Sequence, residues 1–430
     1  MEKIIYQNKI KGSDLLKRPV KSFESIERTV NYIFKDIQLN GDAAVKKYAR
    51  RYDKVDLDGF FVSPEEIELS EKLVSNELKM AIELAKTNIE KFHRAQITKP
   101  IRIETTEGVT CWQEKRAIEK VGLYVPGGTA PLFSTILMLA IPAKLAGCKK
   151  VFLCTPTDRM GVINPVILYT ANLCGITKII KVGGIQAIAA MTFGTENIPK
   201  ALKIFGPGNQ YVTIAKQMAT KYNVAIDLPA GPSELLIFAD KTAKANFIAS
   251  DLLSQAEHGE DSQVILVSRS RSLIDEVEIE ISKQIDQLPR KEIAIKAMSN
   301  SRLIYCESQI QAIEMINDYA PEHLIICIKN EKEILGMIQN AGSIFLGNYS
   351  PESAGDYVSG TNHTLPTNGY AKNYSGVNLD SFLKTITFQK ISKEGLRGIG
   401  SAIEEMAMAE GLFAHKNAVT LRLKYLENGE

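Results

Sequence analysis

At 430 residues, with 45% hydrophobic and 24% charged side chains, the chain has the balance of an ordinary globular enzyme and room for two or more buried cores. Lys and Arg number 52 against 50 Asp and Glu, a formal charge of +2, and no run of five like charges occurs. That balance argues against nucleic acid or an anionic membrane as the main partner.

The first residues, 1–18, lack an apolar core of signal-peptide length, which fits a cytoplasmic protein. Residues 22–51 carry Ile26, Val30, Ile33, Phe34 and Ile37 at helical intervals, then the loop Asn40-Gly41-Asp42. Ser63-Pro64-Glu65-Glu66 opens another helix: Ser caps, Pro takes the first position and the acids face the dipole. Val121 to Ala143 is uncharged and long enough for a membrane span. However, Pro126, Gly127, Gly128, Pro131 and Pro142 interrupt it, so it reads as a strand, a loop and a buried helix.

From about residue 119 strands and helices alternate. KVGLYVPGG, KKVFLCTP, KIIKVGG and KIFGPGN are strands ending in loops, each followed by a helix. A second series follows, with strands in ELLIFAD, SQVILVSRS, LIYC, HLIICI and SIFLG. One helix runs from Asn246, its expected cap, to His258, and another from Ser272 to about Ile285. This βα order predicts an α/β protein with two parallel, Rossmann-like halves. The last part, from about Ser375, reads as a helical tail too small to hold a core alone. Six cysteines (Cys111, Cys148, Cys154, Cys174, Cys306 and Cys327) form no CxxC pair and read as free thiols of a reducing compartment.

Histidine is scarce: His93, His258, His323, His363 and His415. The last four stand beside other polar residues of catalytic type. Gln255 and His258 are three apart at a helix end and share a face, although a polar helix face explains that spacing equally well. Glu322-His323 follows Pro321 at a strand entrance. Neighbours on a strand point to opposite faces, so the pair serves one pocket only from a loop or bend. Residues 351–366 read as a loop carrying Glu352, Asp356 and His363, and Glu410 and His415 flank Gly411 in the tail. Gln255, His258, Asp356 and His415 would make a cysteine-free nitrogen and oxygen set, suited to a zinc ion that binds substrate. A strict GxGxxG fingerprint is absent. Three glycine loops follow strands instead, at Tyr124–Gly128, Val182–Gln186 and Gly206–Asn209, and the last opens directly into a helix.

Together these motifs resemble the histidinol dehydrogenase family. The resemblance rests on IDLPAGPSELLIFAD, LLSQAEHGEDSQVIL, APEHL, SAGDYVSGTNHTLPTNGYA and EGLFAHKNAV, five separated motifs in order between about residues 118 and 420. A few extra residues around Thr157 to Val162 depart from the pattern, away from the motifs. The resemblance implies two incomplete Rossmann-like domains, small helical domains at both ends and an intertwined homodimer. The expected division is 1–22, an N-terminal helical segment; 23–118 plus 234–374, with the metal and catalytic motifs; 119–233, binding NAD; and 375–430, a helical tail reaching the partner subunit. It also implies one zinc per subunit, held by Gln255, His258, Asp356 and His415, with two NAD molecules used in turn. Glu322 and His323 match the acid–base pair. Ser233, His363 and Glu410, besides the zinc set and His323, match substrate-contacting positions, and Glu352 matches more weakly. Tyr124, Gln186 and Asn209 match NAD-contacting positions, one per glycine loop. The implied substrate is L-histidinol. The readings that compete are a zinc- and NAD-dependent dehydrogenase of another amino alcohol or sulfonated diol, and a metal-dependent hydrolase using Glu322.

Overall fold

The computed structural model describes residues 1–6, 16–19, 23–127, 130–229 and 231–428. Gly128, of the first glycine loop, and most of the expected segment 1–22 lie outside them. The strands, in chain order, are β1 (Glu2–Ile5), β2 (Ile101–Thr106), β3 (Val109–Ala117), β4 (Lys120–Tyr124), β5 (Lys150–Cys154), β6 (Ile179–Ile180) and β7 (Lys203–Phe205). They continue with β8 (Ala225–Ile226), β9 (Glu234–Ala239), β10 (Gln263–Ser268), β11 (Arg302–Tyr305), β12 (His323–Cys327), β13 (Ser343–Leu346) and β14 (Leu383–Ile391).

Contacts divide the chain into two units. The first comprises Met1–Gln96 and Ile118–Phe382, the second Ile97–Ala117 and Leu383–Glu430. The first unit holds two parallel sheets, in the orders β6-β5-β4-β7-β8 and β1-β11-β10-β9-β12-β13. Every residue of β9, β10 and β12 is buried, as expected of parallel strands covered by helices on both faces.

The alternating series thus folds as its pattern implies, while several boundaries differ. Residues 2–5, expected to be helical, form β1, which adds to the sheet edge with Glu2 opposite Arg302. Its unpaired backbone groups find partners along β11, which a short helix at a chain end would not supply. The helices Phe23–Tyr48 and Asn76–Arg94 pack on the five-stranded sheet and its helices, not on the sheet that carries β9 and β12. The stretch Phe23–Tyr48 breaks at the expected Asn40–Asp42 turn, where Gly41 takes φ +47° and ψ −130° and kinks the chain between two helical parts. A Cβ there would lie 2.5 Å from a Glu196 carboxylate oxygen, which accepts from the Asp42 N–H at 2.9 Å. Ser63 forms a full capping box with Glu66. The helix Ala245–Ala256 starts after Lys244 with no side-chain cap, so Asn246 falls inside its first turn. Val121–Ala143 divides into β4, a loop and part of the helix Ser134–Ala146, and no helix among the described residues is long and apolar enough to cross a membrane.

The second unit is not purely helical. It joins the antiparallel sheet β14-β3-β2 to the helices Lys393–Ala409 and Phe413–Glu427. Trp112 on β3 stacks on Phe388 of β14, with ring centroids 5.1 Å apart.

Candidate active site

A cleft of about 550 Å³ opens between the two sheets of the first unit. One wall is the carboxyl end of the five-stranded sheet, through Pro126, Gly127 and Gly206–Asn209. These loops follow β4 and β7, the neighbours between which the strand order reverses, where open α/β sheets form their ligand crevice. The other wall is the amino end of the six-stranded sheet. Ser233 precedes β9, His258–Ser262 precede β10, and Glu322 precedes β12. Ser233, His258 and Glu322 therefore sit just before their strands, while Glu352, Asp356 and His363 come from the segment after β13.

Glu322 lies in the bend ahead of β12 and His323 is the strand's first residue. The bend lets the pair share one place, with His323 Nδ1 3.7 Å from Glu322 Oε2. Glu322 Oε2 accepts the backbone N–H of Glu234 at 2.9 Å. Burial pushes the Glu322 carboxyl up to about 8 against the pull of His323. Burial works against a charge on His323 too, but Glu352, Glu322 and Asp356 outweigh it and raise the imidazole to about 10. His323 Nδ1 has no hydrogen-bond partner, while Nε2 lies 3.5 Å from Asp356 Oδ1.

Asp356 and Glu352 occupy a short helix, Glu352–Tyr357, where an open loop was expected. Their spacing of four sets both carboxylates on one side of it. Ligand atoms of His258, Glu352 and Asp356 all lie within 4.8 Å of one another. Burial lifts Glu352 well above the usual carboxylate range. Burial pushes Asp356 the same way, but His323, His363 and His258 outweigh it and hold it at about 2. Desolvation lowers His258, although its ring borders the cleft.

Gln255, in the last turn of the helix Ala245–Ala256, is fully buried beside them. As placed, its amide oxygen faces the Glu352 carboxylate; turned over, its NH₂ donates to Glu352 Oε2 at 2.9 Å and its oxygen accepts from the Glu234 N–H at 3.3 Å. Turned over, the amide satisfies both neighbours, so hydrogen bonding alone accounts for the contact. One imidazole, two carboxylates and an amide oxygen, with no sulfur, fit a divalent zinc-type ion.

His363 is oriented from both sides. Its Nδ1–H donates to the Asp356 carbonyl at 2.8 Å, and Nε2 accepts from the Thr135 hydroxyl at 3.2 Å. Desolvation lowers its pKa. Asn362 holds this loop through the Met138 carbonyl (2.6 Å) and the buried His93 (3.3 Å), so His93 has a structural partner.

Of the NAD-type positions, Asn209 lines the cleft and caps the helix Gln210–Thr220, accepting from the Tyr211 and Val212 N–H groups at 3.1 Å each. Tyr124 and Gln186 are buried behind the second glycine loop. The Tyr124 hydroxyl accepts from the Gly184 N–H at 3.0 Å, and Gln186 donates to Asp53 at 2.9 Å. Glu410 and His415 belong to the second unit, exposed on either side of Gly411, whose φ of +72° separates its two helices. The first unit thus brings Gln255, His258, Glu322, His323, Asp356 and His363 into one neighbourhood, with Ser233 and Asn209 on the cleft walls.

Sequence reasoning undervalued Glu352, for which the four-residue spacing to Asp356 was the available signal. It also passed over Thr135 and Lys216, which no motif marks, and Asp227, which lies within IDLPAGPSELLIFAD but was given no role there.

A histidinol dehydrogenase family model matches residues 16–423. The chain belongs to the histidinol dehydrogenase family. It is 57% identical over 427 residues to the histidinol dehydrogenase of Bacteroides thetaiotaomicron, covering 99% of this chain and 100% of that one. It is 51% identical to that of Escherichia coli K12, over 96% of this chain and 95% of that one. Among solved structures, histidinol dehydrogenase from Elizabethkingia anophelis is similar with a TM-score of 0.97 and 57% identity, covering 99% of both chains. These relatives favour the histidinol reading over the other amino alcohol, the sulfonated diol and the hydrolase.

Proposed function

We propose that the protein oxidises L-histidinol through L-histidinal to L-histidine, with NAD as co-substrate in each of two steps. The reading rests on family membership together with one observation: a Glu322–His323 pair beside converging imidazole, carboxylate and amide donors, on a cleft bounded by the glycine loops of a parallel sheet.

Gln255, His258 and Asp356 would hold zinc, joined by His415 on a tail that reaches the neighbouring subunit of a homodimer, and Glu352 stands ready as a further donor. When bound, the ion supplies a Lewis-acid anchor for the substrate's imidazole and amino nitrogens. Ser233, His363 and Glu410 would contact the same substrate, and Tyr124, Gln186 and Asn209 would serve the dinucleotide. In its neutral form His323 takes the hydroxyl proton as hydride leaves the carbinol carbon for NAD. The carboxylates around it stabilise the imidazolium so formed. Glu322, whose carboxyl burial raises to about 8, then accepts, in its ionised form, a proton from the water that adds to the aldehyde. After both groups release their protons to water, the hydrate passes its hydride to a second NAD and its two hydroxyl protons to His323 and Glu322, and becomes the carboxylate. Retaining the aldehyde between steps keeps a reactive intermediate out of solution. A cytoplasmic location suits the six free thiols.

Counting NADH formed per histidinol consumed tests the reading. Two per substrate are expected, with histidine as product. One per substrate would mark a simple alcohol dehydrogenase, and none would overturn the proposal.

A further inference from the structure

The wall of the cleft holds two charged side chains that the mechanism above does not use. Lys216 projects from the helix Gln210–Thr220, and Asp227 follows β8. Their side chains are 2% and 0% exposed, and they form an ion pair of 2.5 Å. The pair closes on a single residue. Asp227 Oδ2 accepts the Gly206 N–H at 2.7 Å, and Lys216 Nζ donates to the Gly206 carbonyl at 2.7 Å. Asp227 Oδ1 also accepts the Leu228 N–H at 2.7 Å. Both backbone groups of Gly206 are thus held by opposite charges.

Gly206 needs such a clamp. Its φ is +130°, and a Cβ would lie 1.9 Å from the Tyr124 carbonyl oxygen, so the loops after β4 and β7 touch here with no room for a side chain. Glycine alone permits this shape but also permits many others. The next residues hug the helix: a Cβ on Gly208 would lie 2.4 Å from Val212. Asn209 then caps that helix. A buried ion pair is weak as a stabiliser, because apolar side chains of similar volume fill such a space as well or better. What apolar side chains cannot do is hold a peptide N–H and a carbonyl at once.

We propose that Lys216 and Asp227 are positioning residues that hold the Gly206–Asn209 loop in the one shape that receives the nicotinamide dinucleotide. This rests on the NAD reading above and deepens it. Both side chains are too buried to meet the ligand themselves, so they act through the backbone of Gly206 and the placement of Asn209.

The test uses the zinc-loaded, full-length enzyme and calorimetric titration with NAD alone and with histidinol alone. The double variant K216M/D227N leaves no buried charge unpaired and keeps an acceptor for the Gly206 N–H. It is expected to weaken NAD binding at least about tenfold and to raise the KM for NAD with it. Zinc content and histidinol affinity should stay within about twofold of the wild type, a split that general loosening of the fold would not produce. Should that variant not fold, the milder K216R decides. It keeps the charge but displaces the donor from the Gly206 carbonyl, so NAD affinity should fall alone. A folded variant with wild-type NAD affinity, or one losing NAD, histidinol and zinc together, overturns the inference. Wild-type protein that neither binds NAD nor forms NADH would instead overturn the proposed function, and this inference with it.

Discussion

Asp356 faces both His258 and His323, and the two imidazoles meet opposite demands around it. Desolvation lowers the proton affinity of His258, favouring the neutral ring that ligates a metal, whereas three carboxylates raise that of His323 and stabilise its imidazolium. Their roles should separate on mutation. His258→Asn is expected to lose bound zinc. His323→Asn should retain zinc while turnover falls by about 10²–10⁴, the range usual for a lost general base. Metal analysis alongside kcat checks both. A zinc-free His258→Asn protein with full activity would remove His258 from the ligand set.

At the scale of elements, the short helix Glu352–Tyr357 sets the carboxylates. It can do so because Gly355, buried between them in sequence, lies against the Phe345 ring. A Cβ there would approach two ring carbons to 2.7 Å. Gly355→Ala should force ring or helix aside at about 1–3 kcal/mol, the usual cost of overpacking. The shift falls on Glu352 and Asp356, so a chelator-competition titration should report zinc held at least about tenfold less tightly. Unchanged zinc affinity would mean that the helix tolerates the displacement and that its close approach is not what aims the ligands.

At the scale of the molecule, the second unit poses a question of completeness. Its helix Phe413–Glu427 has no buried residue, and Met406, Phe413, Leu421 and Tyr425 are each more than half exposed. Those side chains are apolar surface that a partner's contact would cover. Glu410 and His415 sit on the same unit. If the tail completes a neighbour's site, inactive His323→Asn and His415→Asn proteins should regain part of the activity when mixed, because a hybrid dimer assembles one intact site. Verified subunit exchange with no recovery would show that each chain completes its own site.

Much of this was legible in the chain itself, because the deciding physics is local. Apolar runs bounded by glycine loops announced the two parallel series, Ser63 marked a helix start by the bonds it makes, the Gly206–Asn209 loop opened into a helix as its sequence implied, and the bend needed to bring adjacent Glu322 and His323 to one place stood ahead of an apolar strand. Only the folded chain decided which sheet the helices of residues 23–94 cover, that residues 2–5 become an edge strand, and that strand beginnings face the loops of the other sheet. It alone brought Glu352 to His258 and closed Lys216 and Asp227 on Gly206. The reason is the same in each case. A residue's own neighbours along the chain set its conformation and its tendency to be buried, but a partner dozens of residues away is chosen by the fit of two surfaces, which exist only after the elements have packed.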